Sequence, residues 1–175
     1  AKAVDPEIKV LISYIGSFND AAKGKELAMA QIDQGADVVF AVAGGAGLGV
    51  LSGCAEKNVY AIGVDGDQYE ILKEDDPETA AAICTSMQKK CDQTVYGCVS
   101  RALEGTLPYG TYDKQGLAAG VVGAADNENF RAIFTEEQIA TLKDMEAKVA
   151  SGEVSVFSAI GADDASIQAL KDSVQ

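Results

Sequence analysis

The sequence predicts an α/β fold with a parallel, doubly wound sheet, and three observations lead to this prediction. Short apolar runs alternate with helical patterns in the first part of the 175-residue chain. The run DVVFAVA at 37–43 is apolar at nearly every position, which is typical of a strand covered on both faces. Each gap between runs can hold a crossover helix, and right-handed crossovers then place the strands in one sheet.

The first five elements follow from these runs and the segments between them. Strands are predicted at 9–15, 37–43 and 59–64. The segment AAKGKELAMAQIDQ between the first two strands has the length of a helix, and Gly35 follows it in the usual C-terminal position. A second helix is predicted around LGVLSGCAEK. Together these segments form a βαβαβ unit.

The second half of the chain is predicted to add two strands and two long helices. AAAICTS predicts a fourth strand and GLAAGVVG, at 116–123, a further one. Between them, apolar residues at steps of four and three from Met87 to Ala102 indicate an amphipathic helix that ends at Gly105. A capping box of Thr135 and Gln138 begins the last long helix, whose inward residues are predicted to be Ile139, Leu142, Met145 and Val149.

The overall composition disfavours several classes of function. The net charge of −13 comes from 27 acidic and 14 basic residues, so phosphate backbones are repelled and nucleic acid is not expected as a partner. The chain has no histidine, which disfavours an ordinary hydrolase or a zinc enzyme. No run reaches the roughly 18 apolar residues of a membrane span, and the N-terminus has no signal-peptide core.

The four cysteines form no CxxC pair, and their spacing favours small apolar groups in the core over a disulfide framework or a metal site. They are Cys54, Cys84, Cys91 and Cys98.

A candidate binding site lies where the predicted parallel strands end. Ligands of such sheets bind beyond the carboxyl ends of the strands, where the sequence has SFND, AGGAGLG and DGDQ. Phe18 offers a ring for stacking, and Gly44 and Gly45 let backbone amides approach a ligand. The carboxylate of Asp65 is able to accept hydrogen bonds from a pair of sugar hydroxyls. The sequence therefore predicts a site for a small polar ring compound.

Each of these residues also has a purely structural explanation. Phe18 could cap the core, the glycines could serve a tight turn and close helix packing, and Asp65 could cap a helix or turn. Paired acids, Asp65 with Asp67 or the run Glu74 to Asp76, could act in acid–base chemistry or bind calcium, although the run is typical of a solvated loop.

A nucleotide-dependent oxidoreductase is the alternative from the enzyme class. Asp65 follows Gly45 by about twenty residues, which is the spacing of a ribose-binding acid in dinucleotide folds. AGGAGLG nevertheless differs from the GxGxxG fingerprint, and the chain has no phosphate-loop motif.

The segments SYIGSFNDAAKGKELAMAQIDQGADVVFAVAGGAGLGV, YAIGVDGDQ and TSMQKKCDQTVYGCV closely resemble the C-terminal half of the basic membrane protein family. These solute-binding lipoproteins resemble type I periplasmic binding proteins, and characterised relatives bind purine or other nucleosides for an ABC importer. The resemblance runs from about residue 3 to about residue 156. It implies a non-catalytic, extracytoplasmic protein of the bacterial cell envelope that works with a membrane permease and needs no cofactor or metal.

The resemblance also implies roles for individual residues. Phe18 would stack on the nucleobase, with Asn19 or Asp20 at the border of the pocket. Gly45 would lend a backbone contact, and Gly44 lies beside it in the same turn. Asp65 would hold the ribose hydroxyls, together with Lys89 of the SxxK pattern.

The same resemblance implies an incomplete two-lobed fold. Residues 1–80 would be the ligand-binding part of the second lobe, 81–156 the crossover segments shared between lobes, and 157–175 a C-terminal tail with one short helix. On this resemblance the family's first lobe and its lipid anchor would be missing here, and exposed apolar surface would then favour self-association.

Overall fold

The computed structural model describes residues 4–174 and contains an open sheet of four strands in the order β1-β2-β3-β4. Three neighbouring strands are parallel, and β4 pairs antiparallel with β3. The predicted α/β fold is confirmed. The strands are β1 (Val38–Phe40), β2 (Tyr60–Asp65), β3 (Ile83–Lys89) and β4 (Val122–Ala124).

Helices connect the strands and complete the chain. Asp20 begins the first of them by accepting a hydrogen bond from the amide of Lys23, and the predicted capping box of Thr135 and Gln138 is present. Short 3₁₀ turns occur at Gly44–Ala46 and Leu117–Ala119. The α-helices are α1 (Ala21–Asp33), α2 (Gly47–Lys57), α3 (Gln68–Leu72), α4 (Pro77–Ala82), α5 (Cys91–Leu103), α6 (Glu128–Ile133), α7 (Glu136–Ser151) and α8 (Asp164–Asp172).

The chain divides into two compact units. The larger, Ile15–Val154, contains the sheet and the first seven helices. The smaller joins residues 4–14 to residues 155–174, which include α8. Within it the amide of Val10 donates to the carbonyl of Val174 at 2.8 Å. The strand predicted at 9–15 is therefore wrong, because this segment associates with the C-terminal residues instead of extending the sheet.

The main hydrophobic cluster of the larger unit lies on one face of the sheet. Val39, Ala61 and Ile83 occupy paired positions on the three parallel strands, and all three are buried. Leu51 and Cys54 of α2 and Ala28 of α1 belong to the same buried cluster. The two helices lie so close that a β-carbon on Gly49 would overlap the backbone of Ala21. Small residues therefore set the spacing of α1 and α2.

The opposite face of the sheet is open near β1. Val38, Phe40 and Tyr60 are 43%, 50% and 46% exposed, and Val38 is paired with Tyr60 in the register. The prediction that 37–43 is covered on both faces is therefore wrong for this chain. The apolar side chains indicate a surface that further protein could cover.

The second half departs from the predicted boundaries. Ala80 and Ala82 of the run AAAICTS lie in α4, and Met87 lies on β3 rather than on a helix. The amphipathic helix begins only at Cys91. Periodicity misplaced Met87 because positions four residues apart share a face in strands as well as in helices.

The four cysteines follow the prediction in part. Cys54 and Cys84 are buried, whereas Cys91 is exposed. Burial, assisted by Cys84, raises the pKa of the Cys54 thiol to about 11.

The predicted inward residues of α7 are half-buried: Ile139, Leu142, Met145 and Val149.

Candidate functional site

Phe18 lies against the glycine turn that follows β1. The amide of Ala46 donates to the carbonyl of Phe18 at 2.8 Å, which fixes the two segments together. A β-carbon on Gly44, whose φ is +56°, would lie 3.3 Å from Cδ1 of Phe18, and one on Gly45 would lie 3.2 Å from the Phe18 carbonyl oxygen. Phe18 is nevertheless 76% exposed, so it does not cap the core. A flat ligand could reach this ring from solvent.

The two polar residues after Phe18 have local partners. The amide of Asn19 donates to the Ser17 hydroxyl at 3.1 Å, and the Asn19 side chain lies beside Gly45. Oδ1 of Asp20 accepts from the amide of Lys23 at 2.9 Å, as a helix cap does. Asp20 therefore has a structural role in starting α1, whatever else it contacts.

Asp65 and Lys89 form an ion pair at the ends of neighbouring parallel strands. Nζ of Lys89 lies 2.6 Å from Oδ1 of Asp65, and about half of each side chain is exposed. The hydrogen bond and the negative charge of Asp65 raise the pKa of Lys89. Asp65 does not cap α3, because the cap is the side chain of Asp67. Both partners therefore keep polar atoms available at the surface.

The topology relates these two clusters to each other. The glycine turn, against which Phe18 lies, follows the end of β1, while Asp65 ends β2 and Lys89 ends β3. Because β1, β2 and β3 are parallel and adjacent, their carboxyl ends meet at one edge of the sheet. The predicted site residues therefore lie at a common edge in two groups. Within each group the residues contact one another: Phe18 contacts the glycine turn, and Asp65 contacts Lys89.

Three residues around the site were not assigned a role from the sequence. The side-chain oxygen of Gln68 accepts from the amide of Val64 at 2.8 Å, and the Gln68 amide donates to the hydroxyl of Ser86 at 3.2 Å. Ser86 is fully buried in β3. Asn127, at the start of α6, bonds to Asp67. In the sequence, the polar motif DGDQ at a strand end was the only signal that indicated such a network.

The surface near the site also contains a cleft. A cleft of about 430 Å³ opens beside Lys89, and its lining includes Val95, Cys98 and Val122.

Within residues 4–174, no group of three or more His, Cys, Asp or Glu residues is arranged to hold a metal ion. Over the same residues, none of the helices has the length and apolarity needed to span a bilayer.

Comparison with known proteins gives a consistent family signal. Residues 1–159 match the family described as Bmp, ABC transporter substrate-binding protein PnrA-like. The chain is 38% identical over 132 residues to the ABC transporter nucleoside-binding protein BmpA of Lactococcus lactis, covering 70% of this chain and 38% of that protein. It is 32% identical over 146 residues to basic membrane protein D of Borreliella burgdorferi, covering 82% of this chain and 41% of that protein.

Solved structures show the same fold. A solute-binding protein of an ABC transporter system from Aeropyrum pernix superposes with a TM-score of 0.72 at 21% identity, covering 93% of this chain and 50% of that one. Another from Conexibacter woesei gives 0.68 at 20% identity, covering 89% and 49%. The chain has the fold of type I periplasmic binding proteins in incomplete form, and it spans about half of these proteins or less.

Proposed function

Because the chain belongs to the family of PnrA-like ABC transporter substrate-binding proteins, we propose that it is part of a non-catalytic protein that binds a nucleoside for an importer. A purine nucleoside is the expected ligand. The observation that carries the proposal is the Asp65–Lys89 ion pair at the sheet edge that also holds Phe18 and the glycine turn. This arrangement supplies one surface for a flat base and one pair of charges for a sugar.

Phe18 is proposed to bind the base. Its ring is exposed, and the glycine turn beneath it fixes its position without adding side chains that would block a ligand. Stacking of a base on an aromatic ring tolerates different bases, because every base has a π face. Selection of a purine therefore falls to polar groups around the ring, with Asn19 and Asp20 the nearest polar residues in the chain.

Asp65 and Lys89 are proposed to bind the ribose. The carboxylate accepts hydrogen bonds from two neighbouring hydroxyls, while the ammonium group donates to a sugar oxygen. Lys89 also holds the carboxylate in place before the ligand arrives, at 2.6 Å. Closure of a second lobe over the sugar would remove water and strengthen these bonds.

The transport step is proposed to be hinge closure of two lobes, followed by docking on a membrane permease. In this proposal residues 1–80 belong to the second lobe, and residues 81–156 include the segments that cross between lobes. The protein would act outside the cytoplasmic membrane, held by a lipid anchor. The exposed apolar face of β1 and β2 would contact further protein, which for this chain alone means another copy.

A ligand screen on the complete gene product tests the proposal. Adenosine, inosine, guanosine, cytidine, free ribose and NADH are compared by thermal shift and then by calorimetry. At least one nucleoside is expected to raise the melting temperature, since a ligand that binds only the folded state stabilises it. A shift with NADH alone would favour the oxidoreductase alternative, and no shift with any compound would contradict nucleoside binding.

Replacing Phe18 tests the stacking surface. Phe18→Ala is expected to weaken every bound nucleoside by about 1–3 kcal/mol, as loss of base–aromatic stacking does. Phe18→Tyr keeps the ring face and serves as the matched control, with affinity close to that of the wild type. Equal affinities of the wild type and Phe18→Ala in calorimetry would remove Phe18 from the site.

A further inference from the structure

The backbone that carries Asp65 has an unusual conformation. Asp65 has a φ of +72°, in the left-handed region, at the last position of β2. Aspartate enters this region more readily than most residues, yet the conformation persists only where the surroundings hold it. The residues on both sides of Asp65 must therefore be fixed.

Gln68 and Ser86 fix one side. The Gln68 side chain folds back to accept from the amide of Val64, the residue just before Asp65, at 2.8 Å. The Gln68 amide in turn donates to the buried hydroxyl of Ser86 at 3.2 Å. These bonds tie the chain before and after Asp65 to β3, the strand that ends at Lys89.

Asn127 fixes the other side from a distant part of the chain. Its Nδ2 donates to both carboxylate oxygens of Asp67, at 2.9 Å and 3.0 Å. Its Oδ1 accepts from the amide of Phe130 at 2.9 Å and so caps α6. Asn127 is only 9% exposed. Because both ends of its amide group are bonded, the side chain has little freedom to turn.

The start of α6 is itself anchored to the sheet. The amide of Ala125 donates to the carbonyl of Ser86 at 2.8 Å, and the ring of Phe130 is buried. The hydroxyl of Tyr69 in α3 also donates to Glu128 of α6 at 2.8 Å. Asn127 therefore connects the Asp65 loop, residues 65–68, to a segment that is hydrogen-bonded to β3 and packed through Phe130.

We propose that Asn127 is a positioning residue for the sugar-binding carboxylate: by holding Asp67 it keeps Asp65 turned toward Lys89. This inference rests on the proposed function for its ligand, but its structural part concerns Asp65 and Lys89 alone. The Asp67 carboxylate is occupied by Asn127, so Asp65 is the acid of this loop that remains available to a sugar diol.

The test variant is Asn127→Asp. Aspartate keeps the size and the capping oxygen, but it has no N–H donor and places a second negative charge against Asp67. Asn129→Asp is the matched control, because it makes the same change two residues later in α6. The Nδ2 of Asn129 donates to the carbonyl of Ile83 at 2.9 Å and not to the Asp65 loop. Asn127→Ser, which also caps helices but is too short to bridge to Asp67, is the second variant if the first fails to fold.

The first measurement needs no ligand. Titration of Lys89 by NMR in the complete gene product is expected to give a raised pKa in the wild type and in Asn129→Asp, because Asp65 is paired with it. In Asn127→Asp this pKa should fall toward the value of the Asp65→Asn variant. The added negative charge by itself would act in the opposite direction, so a fall reports displaced Asp65. An unchanged Lys89 titration in a folded Asn127 variant would overturn the proposal.

The second measurement separates positioning from general stability. Calorimetry compares a ribonucleoside with its 2′,3′-dideoxy analogue, which lacks the hydroxyls that Asp65 would accept. Asn127→Asp is expected to lower the affinity for the ribonucleoside by about 10- to 100-fold, because a binding group is misplaced. The affinity for the analogue should be unchanged. An equal loss for both compounds would mean that Asn127 acts only through stability and would overturn the proposal. If the wild type binds neither compound, the proposed function fails, while the Lys89 titration still decides the role of Asn127.

Discussion

Asp65→Ala in the complete gene product is expected to lower ribonucleoside affinity by at least about 100-fold. Hydrogen bonds to a charged group contribute about 1.5–3 kcal/mol each, and the proposed site makes two of them to the sugar. Every 1.4 kcal/mol corresponds to a tenfold change in affinity. The variant also removes the partner that holds Lys89 at 2.6 Å, so the second sugar contact loses its fixed position.

Two controls make the Asp65 result specific. Asp75→Ala removes an exposed acid between α3 and α4 and makes the same change in net charge, and its affinity should equal that of the wild type. A 2′,3′-dideoxynucleoside should bind the wild type and Asp65→Ala with similar, weak affinity. Calorimetry that gives Asp65→Ala the wild-type affinity for ribonucleosides would contradict the assignment of Asp65.

Gly49→Ala is expected to destabilise the larger unit by about 1–3 kcal/mol or more, which is the usual cost of forcing extra volume into a packed interface. The added β-carbon would overlap the carbonyl group of Ala21 and lie 3.0 Å from its Cα. Backbone atoms cannot turn aside as the end of a long side chain can, so α1 and α2 must separate. Denaturant unfolding of the wild type and the variant measures the difference in the free energy of unfolding.

Gly97→Ala is the matched control for this prediction. Gly97 lies within α5, and a β-carbon there would meet no atom within 4 Å. Alanine is favoured over glycine inside a helix by about 0.5–1 kcal/mol, so this variant should be slightly more stable than the wild type. Equal stabilities for the two alanine variants would show that α1 and α2 do not meet at Gly49.

Local signals in the sequence predicted much of the fold. The helices α1 and α2 and the strand β2 were predicted from apolar runs and from Gly35, close to where the structure has them. The capping box at Thr135 located the start of α7. These features depend on residues a few positions apart, so a single sequence contains the information for them.

Features that depend on distant partners were predicted less well. The run 9–15 has the composition of a strand, but composition does not reveal which segment it pairs with, and here residues 4–14 associate with the C-terminal residues. The roles of Phe18 and Asp65 were predicted from their positions at expected strand ends and again from a family resemblance, whereas the role of Lys89 came from the resemblance; all three remain predictions. The bond between Asp67 and Asn127 joins residues 60 positions apart, and no local pattern predicts it.

The ion pair at the sheet edge has a consequence for which metabolites the protein would accept. Asp65 and Lys89 together carry no net charge, and the chain as a whole carries −13. For a phosphorylated sugar at this pair, the electrostatic attraction of the phosphate to the ammonium group would be roughly cancelled by its repulsion from the carboxylate. The acidic surface of the chain would add further repulsion. Under the proposed function, nucleotides would therefore be rejected by charge, and the importer would take up the dephosphorylated compounds.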